Sequence, residues 1–228
     1  MKKYLKNILL PKNILLIILS VSFYMNLYPG VSFVAIEIPN NIKSYLNNIT
    51  NYAKSRLVDK NVRPNITVSS SQNLHITLKE ISNLNKRELH IIKKRLRKMA
   101  SSLCAHDISR AIKRGHLKIS NRYIKLMLAP DNWLNSLADK INSLCNDLVR
   151  RGELRSVASR LDFPGEGHIT LATITDMPKS FSKKKIKNIE KKFVNKFNKK
   201  FIVNRFSLLK SNSPITPRKY ECQARFFF

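Results

Sequence analysis

The chain has 228 residues, 43% of them apolar, and sets 43 Lys plus Arg against 14 Asp plus Glu for a net charge of +29. That length and apolar share exclude disorder throughout and allow one substantial core or two small lobes. The charge favours polyanionic partners, whether RNA, DNA or an acidic membrane surface, without choosing among them.

In chain order, Lys2, Lys3, Lys6 and Lys12 precede an apolar run from Ile14 to Tyr28, the pattern of a charged n-region and an apolar h-region. The run is short for a spanning helix and holds Ser20, Ser22 and Asn26. Three readings stand open for residues 1–30: an export signal cut near Ser20-Val21-Ser22, a membrane anchor acting through residues 8–28, or a segment upstream of a start at Met25. Residues 31–228 read as one domain, with no low-complexity linker.

Residues 33–38 form a strand closed by Pro39, and residues 41–58 a helix with Ile42, Tyr45, Leu46, Ile49 and Tyr52 on one face. Residues 65–71 are a strand running into a turn, followed by a strand over 74–81. Residues 86–103 place Leu89, Ile92, Leu96, Met99 and Leu103 on one helical stripe, with a solvated basic face opposite. Residues 117–120 and 123–128 read as a hairpin about Asn121-Arg122. A helix then starts at Pro130-Asp131, carries Leu134, Leu137, Ile141, Leu144 and Leu148, and ends at Gly152. A polar segment with Arg155, Arg160 and Pro164-Gly165 leads to a strand over 168–174. Ile186, Ile189, Phe193 and Phe197 mark a basic helix, and residues 201–209 and 220–228 are closing strands about a turn at Pro214–Pro217. Cys104, Cys145 and Cys222 lack Cys-x-x-Cys pairing and a neighbouring His, so they read as small apolar residues in or near the core, with no zinc site and no disulfide framework.

The order strand, helix, strand, helix occurs twice, and the second strand of each unit carries His-Ile-Thr-Leu, at His75 to Leu78 and His168 to Leu171. Such a degenerate duplication implies two lobes about a pseudo-two-fold axis. Side chains alternate along a strand, so His75 and Thr77 share one face, Ile76 and Leu78 the other, and His168 and Thr170 repeat the arrangement. Two imidazoles with unperturbed pKa near 6.5 can divide general base and general acid between them, and two hydroxyls can donate to non-bridging phosphate oxygens as charge builds there. That set suits the opening of a cyclic phosphodiester and needs neither metal nor cofactor. Lys79 continues the His75–Thr77 face and either adds positive charge to a phosphate site or stands as an exposed lysine at a strand end. His90, His106 and His116 read as structural or surface residues and Trp133 as core. Gly165 and Gly167 either end a loop or let backbone approach a nucleotide.

From about Ser32 to the C-terminus the sequence resembles the bacterial and archaeal RNA 2',3'-cyclic phosphodiesterases, also named 2'-5' RNA ligases, of the LigT-like two-histidine phosphoesterases. The resemblance is carried by Phe33-Val34-Ala35-Ile36-Glu37-Ile38-Pro39, Asn73-Leu74-His75-Ile76-Thr77-Leu78-Lys79, Gly167-His168-Ile169-Thr170-Leu171-Ala172 and Ala224-Arg225-Phe226. It implies a bilobal α+β fold with two antiparallel sheets facing a basic cleft and helices outside. It further implies hydrolysis of an RNA 2',3'-cyclic phosphate to a 2'-phosphate, reversible 2'-5' joining, and catalytic roles for His75, Thr77, His168 and Thr170. The sequence departs from the family pattern at Glu80-Ile81-Ser82, at Gly167 where Pro is common, and at Thr173 where Arg is common; Arg160, Arg218 or Lys219 can replace that phosphate or RNA contact. The expected partner is RNA bearing a 2',3'-cyclic end or 2'-5' linkage, met by a monomer, with a cytoplasmic location preferred unless the apolar N-terminus exports or anchors the chain. Two other readings remain: a related enzyme that trims RNA 3' ends or cuts 2'-5' oligonucleotides, and a non-catalytic basic module that binds RNA or a membrane.

Overall fold

The computed structural model describes residues 30–58, 64–70, 73–157, 167–177, 183–211 and 220–228. The expectations for the N-terminal segment before residue 30, for Arg160, Gly165, Arg218 and Lys219, and for the turn Pro214–Pro217 lie outside the described residues.

Within the described residues, ten strands and five helices follow in the order β1 (Ser32–Glu37), α1 (Asn40–Leu57), β2 (Asn65–Val68), β3 (His75–Ile81), α2 (Lys86–Ala100), β4 (His106–Asp107), α3 (Ser109–Lys113), β5 (His116–Ile119), β6 (Tyr123–Met127), α4 (Asn132–Arg150), β7 (His168–Asp176), α5 (Lys183–Lys192), β8 (Ile202–Val203), β9 (Arg205–Ser211) and β10 (Tyr220–Phe227). Two of the helices start where side chains satisfy orphan amides. Asn85 and Glu88 form a reciprocal capping box on α2, and Asp131 accepts from the Leu134 amide at 2.9 Å to open α4. Gly152, at φ 68°, lies just beyond the end of α4 in the left-handed conformation that glycine adopts at least cost.

Two antiparallel halves, β10-β9-β1-β3 and β7-β6-β5 with β2 on the other edge of β7, meet where Ile76 pairs with Ile169. The expected two sheets are therefore hydrogen-bonded into one eight-stranded sheet by the central residues of the two motifs. A residue of one repeat pairing with its equivalent in the other marks the pseudo-two-fold axis. The halves also exchange edges. β2 precedes the first motif yet pairs with β7, while Val157 precedes the second motif yet bridges Ile81 of β3.

The apolar residues that alternate along the strands pack against the helices. Val34, Ile36, Ile76, Leu78, Leu126, Ile169 and Leu171 join Leu46, Ile92, Leu137 and Ile141 in one core. The opposite face carries no such layer among the described residues, only the small cluster Phe33, Ala35 and Leu209 with Tyr220 against it. Among the described residues no helix is long and apolar enough to cross a membrane.

Three local expectations need correction. The last helix stops at Lys192 rather than running through Phe197. The Asn195 amide accepts from the Phe197 amide and from Tyr45 and donates to the Ile112 carbonyl, drawing the chain out of helical register and seating Phe197 in the core. Residues 106–113 supply a short strand and a short helix that no periodicity announced, and the closing strand expected over 201–209 divides into β8, which pairs with β4, and β9. Of the three cysteines, Cys145 is buried, whereas Cys104 and Cys222 are exposed.

Candidate active site

Both motif strands begin at the histidine, and both carry the same irregularity. β1 pairs Ala35 with Thr77 but Val34 with Lys79, and β6 pairs Lys125 with Thr170 but Ile124 with Ala172. One extra residue thus bulges from each strand after Thr77 and after Thr170, and the burial alternation shifts identically in the two copies. Before the bulge His75, Thr77, His168 and Thr170 share the open face, each partly exposed, with Ile76, Leu78, Ile169 and Leu171 beneath them. Continuing the antiparallel register one residue either way from Ile76 and Ile169 sets His75 opposite Thr170 and Thr77 opposite His168. The two imidazoles lie on one diagonal of this quadrilateral and the two hydroxyls on the other.

The bulge overturns one expectation. Lys79 does not continue the His75–Thr77 face; it pairs with core-facing Val34, is 2% exposed, and acts electrostatically on the buried Cys145 thiol of α4. Glu80, opposite Phe33, takes the open face in its place, and Thr173, opposite Tyr123, does the same in the second half.

His75 sits against the rings of Phe33 and Tyr220, with centroids at 5.0 and 5.1 Å. Its Nδ1 lies 2.7 Å from the Asn73 carbonyl oxygen, which can only accept, so Nδ1 carries the proton and Nε2 keeps its lone pair in the neutral ring. Burial pushes the imidazole down to about 4, with His168 acting in the same direction; the Asn73 carbonyl and Glu37 oppose it. His75 is therefore neutral near pH 7 in the free protein, and the influence of His168 on it places the two rings in one electrostatic neighbourhood.

Sequence reasoning missed a charged group beside His75. Glu37, opposite His75 on β1, accepts hydrogen bonds from Ser207 and from Arg225, whose Nε and a terminal nitrogen lie 2.9 and 3.2 Å from its two oxygens. Burial raises the Glu37 carboxyl, but these donors and the nearby guanidinium outweigh it and hold it below the usual range. The alternation Glu37, Ala35, Phe33 along β1 carried the signal, since it puts all three on the face of His75. Lys125 and Tyr123 of β6 were missed for the same reason: Ile124 and Leu126 are core, which leaves their neighbours on the open face.

A mixed α+β chain whose antiparallel halves meet at paired His-x-Thr strands has the fold of the two-histidine phosphoesterases. Solved structures with this fold include TT0787 of Thermus thermophilus, at TM-score 0.60 and 16% identity over 86% of this chain and 97% of that one. Escherichia coli LigT complexed with 3'-AMP matches at TM-score 0.59 and 18% identity over 88% of this chain and 99% of its own. A crystal structure described as a phosphoesterase matches at TM-score 0.55 and 17% identity over 88% of this chain and 99% of its own. No family model and no curated protein matches the sequence.

Proposed function

We propose that the chain hydrolyses RNA 2',3'-cyclic phosphate ends to 2'-phosphomonoesters. The observation that carries the proposal is the crossing of two identical His-Ile-Thr-Leu strands at Ile76 and Ile169, with both histidines and both threonines on one open face. Water attacks phosphorus, one imidazole takes its proton, the bond from phosphorus to the ribose 3' oxygen breaks, and the other imidazole protonates that oxygen. The Thr77 and Thr170 hydroxyls donate to the non-bridging oxygens as their charge grows. The proton transfers are complete within the two imidazoles. The same constellation, run with a ribose hydroxyl in place of water, makes or breaks a 2'-5' linkage. The complex of LigT with 3'-AMP, a protein of the same fold, supports a nucleotide as ligand.

The test is turnover of a 2',3'-cyclic nucleotide and of RNA ending in a cyclic phosphate, with chelator present and the product identified as a 2'-phosphate. His75→Ala and His168→Ala should each lower kcat by about 10²–10⁴ with the circular dichroism spectrum unchanged. Equal turnover by wild type and either variant would overturn the proposal. Release of single nucleotides from RNA 3' ends or cleavage of 2'-5' oligonucleotides would redirect it to those reactions; salt-sensitive RNA binding without turnover would leave a binding module.

A further inference from the structure

The two halves match strand for strand, but the residues facing the catalytic quartet differ between them. Thr77 faces Ala35, whereas Thr170 faces Lys125; His75 faces Glu37, whereas His168 faces buried Met127. The first half thus sets beside its histidine a carboxylate already engaged by Arg225, and the second sets a lysine opposite its threonine, with its ammonium on the same face.

Several observations place that ammonium on the open face rather than in the core. Directly opposed residues in an antiparallel pair bring their Cβ atoms to about 5 Å, well within the reach of a lysine. Lys125 is partly exposed, and its flanking residues Ile124 and Leu126 are fully buried on the helix side. Its Nζ stands over the Tyr123 ring, 5.4 Å from the centroid, and Tyr123 faces Thr173 on the same open surface. Lys118 of β5 lies directly opposite Lys125 on the far side from Thr170. Two lysines facing across the ladder gather positive charge on this part of the sheet.

Resting on the hydrolytic reading of this site, we propose that Lys125 binds the scissile phosphate and breaks the symmetry of the cleft, drawing the non-bridging oxygens towards the second half. A phosphodiester carries one negative charge and gains more as water adds to phosphorus. A fixed cation on that side therefore stabilises the transition state more than the ground state. The nucleoside then extends towards the first half, where Phe33 and Tyr220 meet edge to face at 5.2 Å.

The test uses the full chain with Lys125→Met, which keeps much of the apolar stem, Lys125→Arg, which restores a cation, and Lys94→Ala on exposed α2 as a control. Inorganic phosphate binding, followed by the imidazole resonances, and kcat/KM for a 2',3'-cyclic nucleotide are measured in parallel. Lys125→Met should weaken phosphate binding about tenfold and lower kcat/KM by about 10²; Lys125→Arg should regain most of both and Lys94→Ala should change neither. Wild-type binding and turnover in Lys125→Met, no recovery in Lys125→Arg, or no phosphate binding by wild type would each overturn the assignment. Lys125-dependent phosphate binding by a wild-type chain that turns over no cyclic nucleotide would uphold this inference while defeating the hydrolytic reading.

Discussion

His75 is neutral near pH 7 in the free protein, because burial, with His168 acting in the same direction, outweighs the Asn73 carbonyl and Glu37. In the free protein its ring should titrate near pH 4, and an anionic phosphate bound beside it should raise that midpoint; proton NMR of the His75 ring with and without inorganic phosphate measures both. The sign of the linked stability follows. A histidine depressed from its unfolded value of about 6.5 binds fewer protons when folded, so its contribution is full above pH 6.5 and is lost as pH falls towards 4. His75→Gln should flatten the stability profile in that window, read by denaturant titration at several pH values. The hydroxyls make a separate prediction. Thr77→Val and Thr170→Val keep shape but remove the donor that the proposed mechanism directs at developing charge, and each should lower kcat by about 10²–10³ with little change in KM, as steady-state kinetics would show. The quartet itself was legible in the sequence, because a period of two in His-Ile-Thr-Leu dictates which side chains share a face. Lys79 was not legible. One bulged residue moves it to the helix side, and nothing in the tetrapeptide announces the bulge.

The elements that present the quartet depend on contacts between segments far apart in the chain. Glu88, the capping residue of α2, is 4% exposed and accepts from the Arg155 backbone amide and guanidinium at 2.9–3.0 Å. Arg155 also donates to the Asn83 carbonyl, which ties down the chain just before Val157 bridges β3. These donors, led by the Arg155 guanidinium, hold the Glu88 carboxyl at about 2. That depression gives stability present above the unfolded value near 4.5 and lost as pH falls through about 2. Because the Arg155 side chain is 66% exposed, screening weakens the pair, and Glu88→Gln should cost about 1–2 kcal/mol and remove that acid slope in urea titrations. At Gly115 the constraint is steric. A Cβ there would lie 2.4 Å from the Met127 carbonyl oxygen, so Gly115→Ala must shift backbone where β6 positions Met127 against His168. It should lower both the thermal midpoint and kcat, whereas an exposed control such as Lys94→Ala should lower neither.

For the whole molecule, charge and symmetry act together. If RNA is the partner, as proposed, a net charge of +29 predicts an affinity that falls steeply with salt through counterion release. Hydrolysis of a cyclic mononucleotide, which makes few phosphate contacts, should therefore keep its KM far better between about 50 and 200 mM salt than cleavage of a long RNA end does, as parallel titrations of the two substrates would show. The sequence by itself determined the duplication, the order of the main strands and helices, and the four residues of the quartet, because each follows from local periodicity and a repeated tetrapeptide. Only the tertiary structure decided the rest. Edge strands cross between the halves at β2 and Val157, paired bulges choose which residues beyond each motif reach the open face, and cross-strand register sets Glu37 and Arg225 by one histidine and Lys125 by one threonine. Register between strands is fixed by packing and hydrogen bonding across long sequence separations, and that information is absent from any local window of the chain.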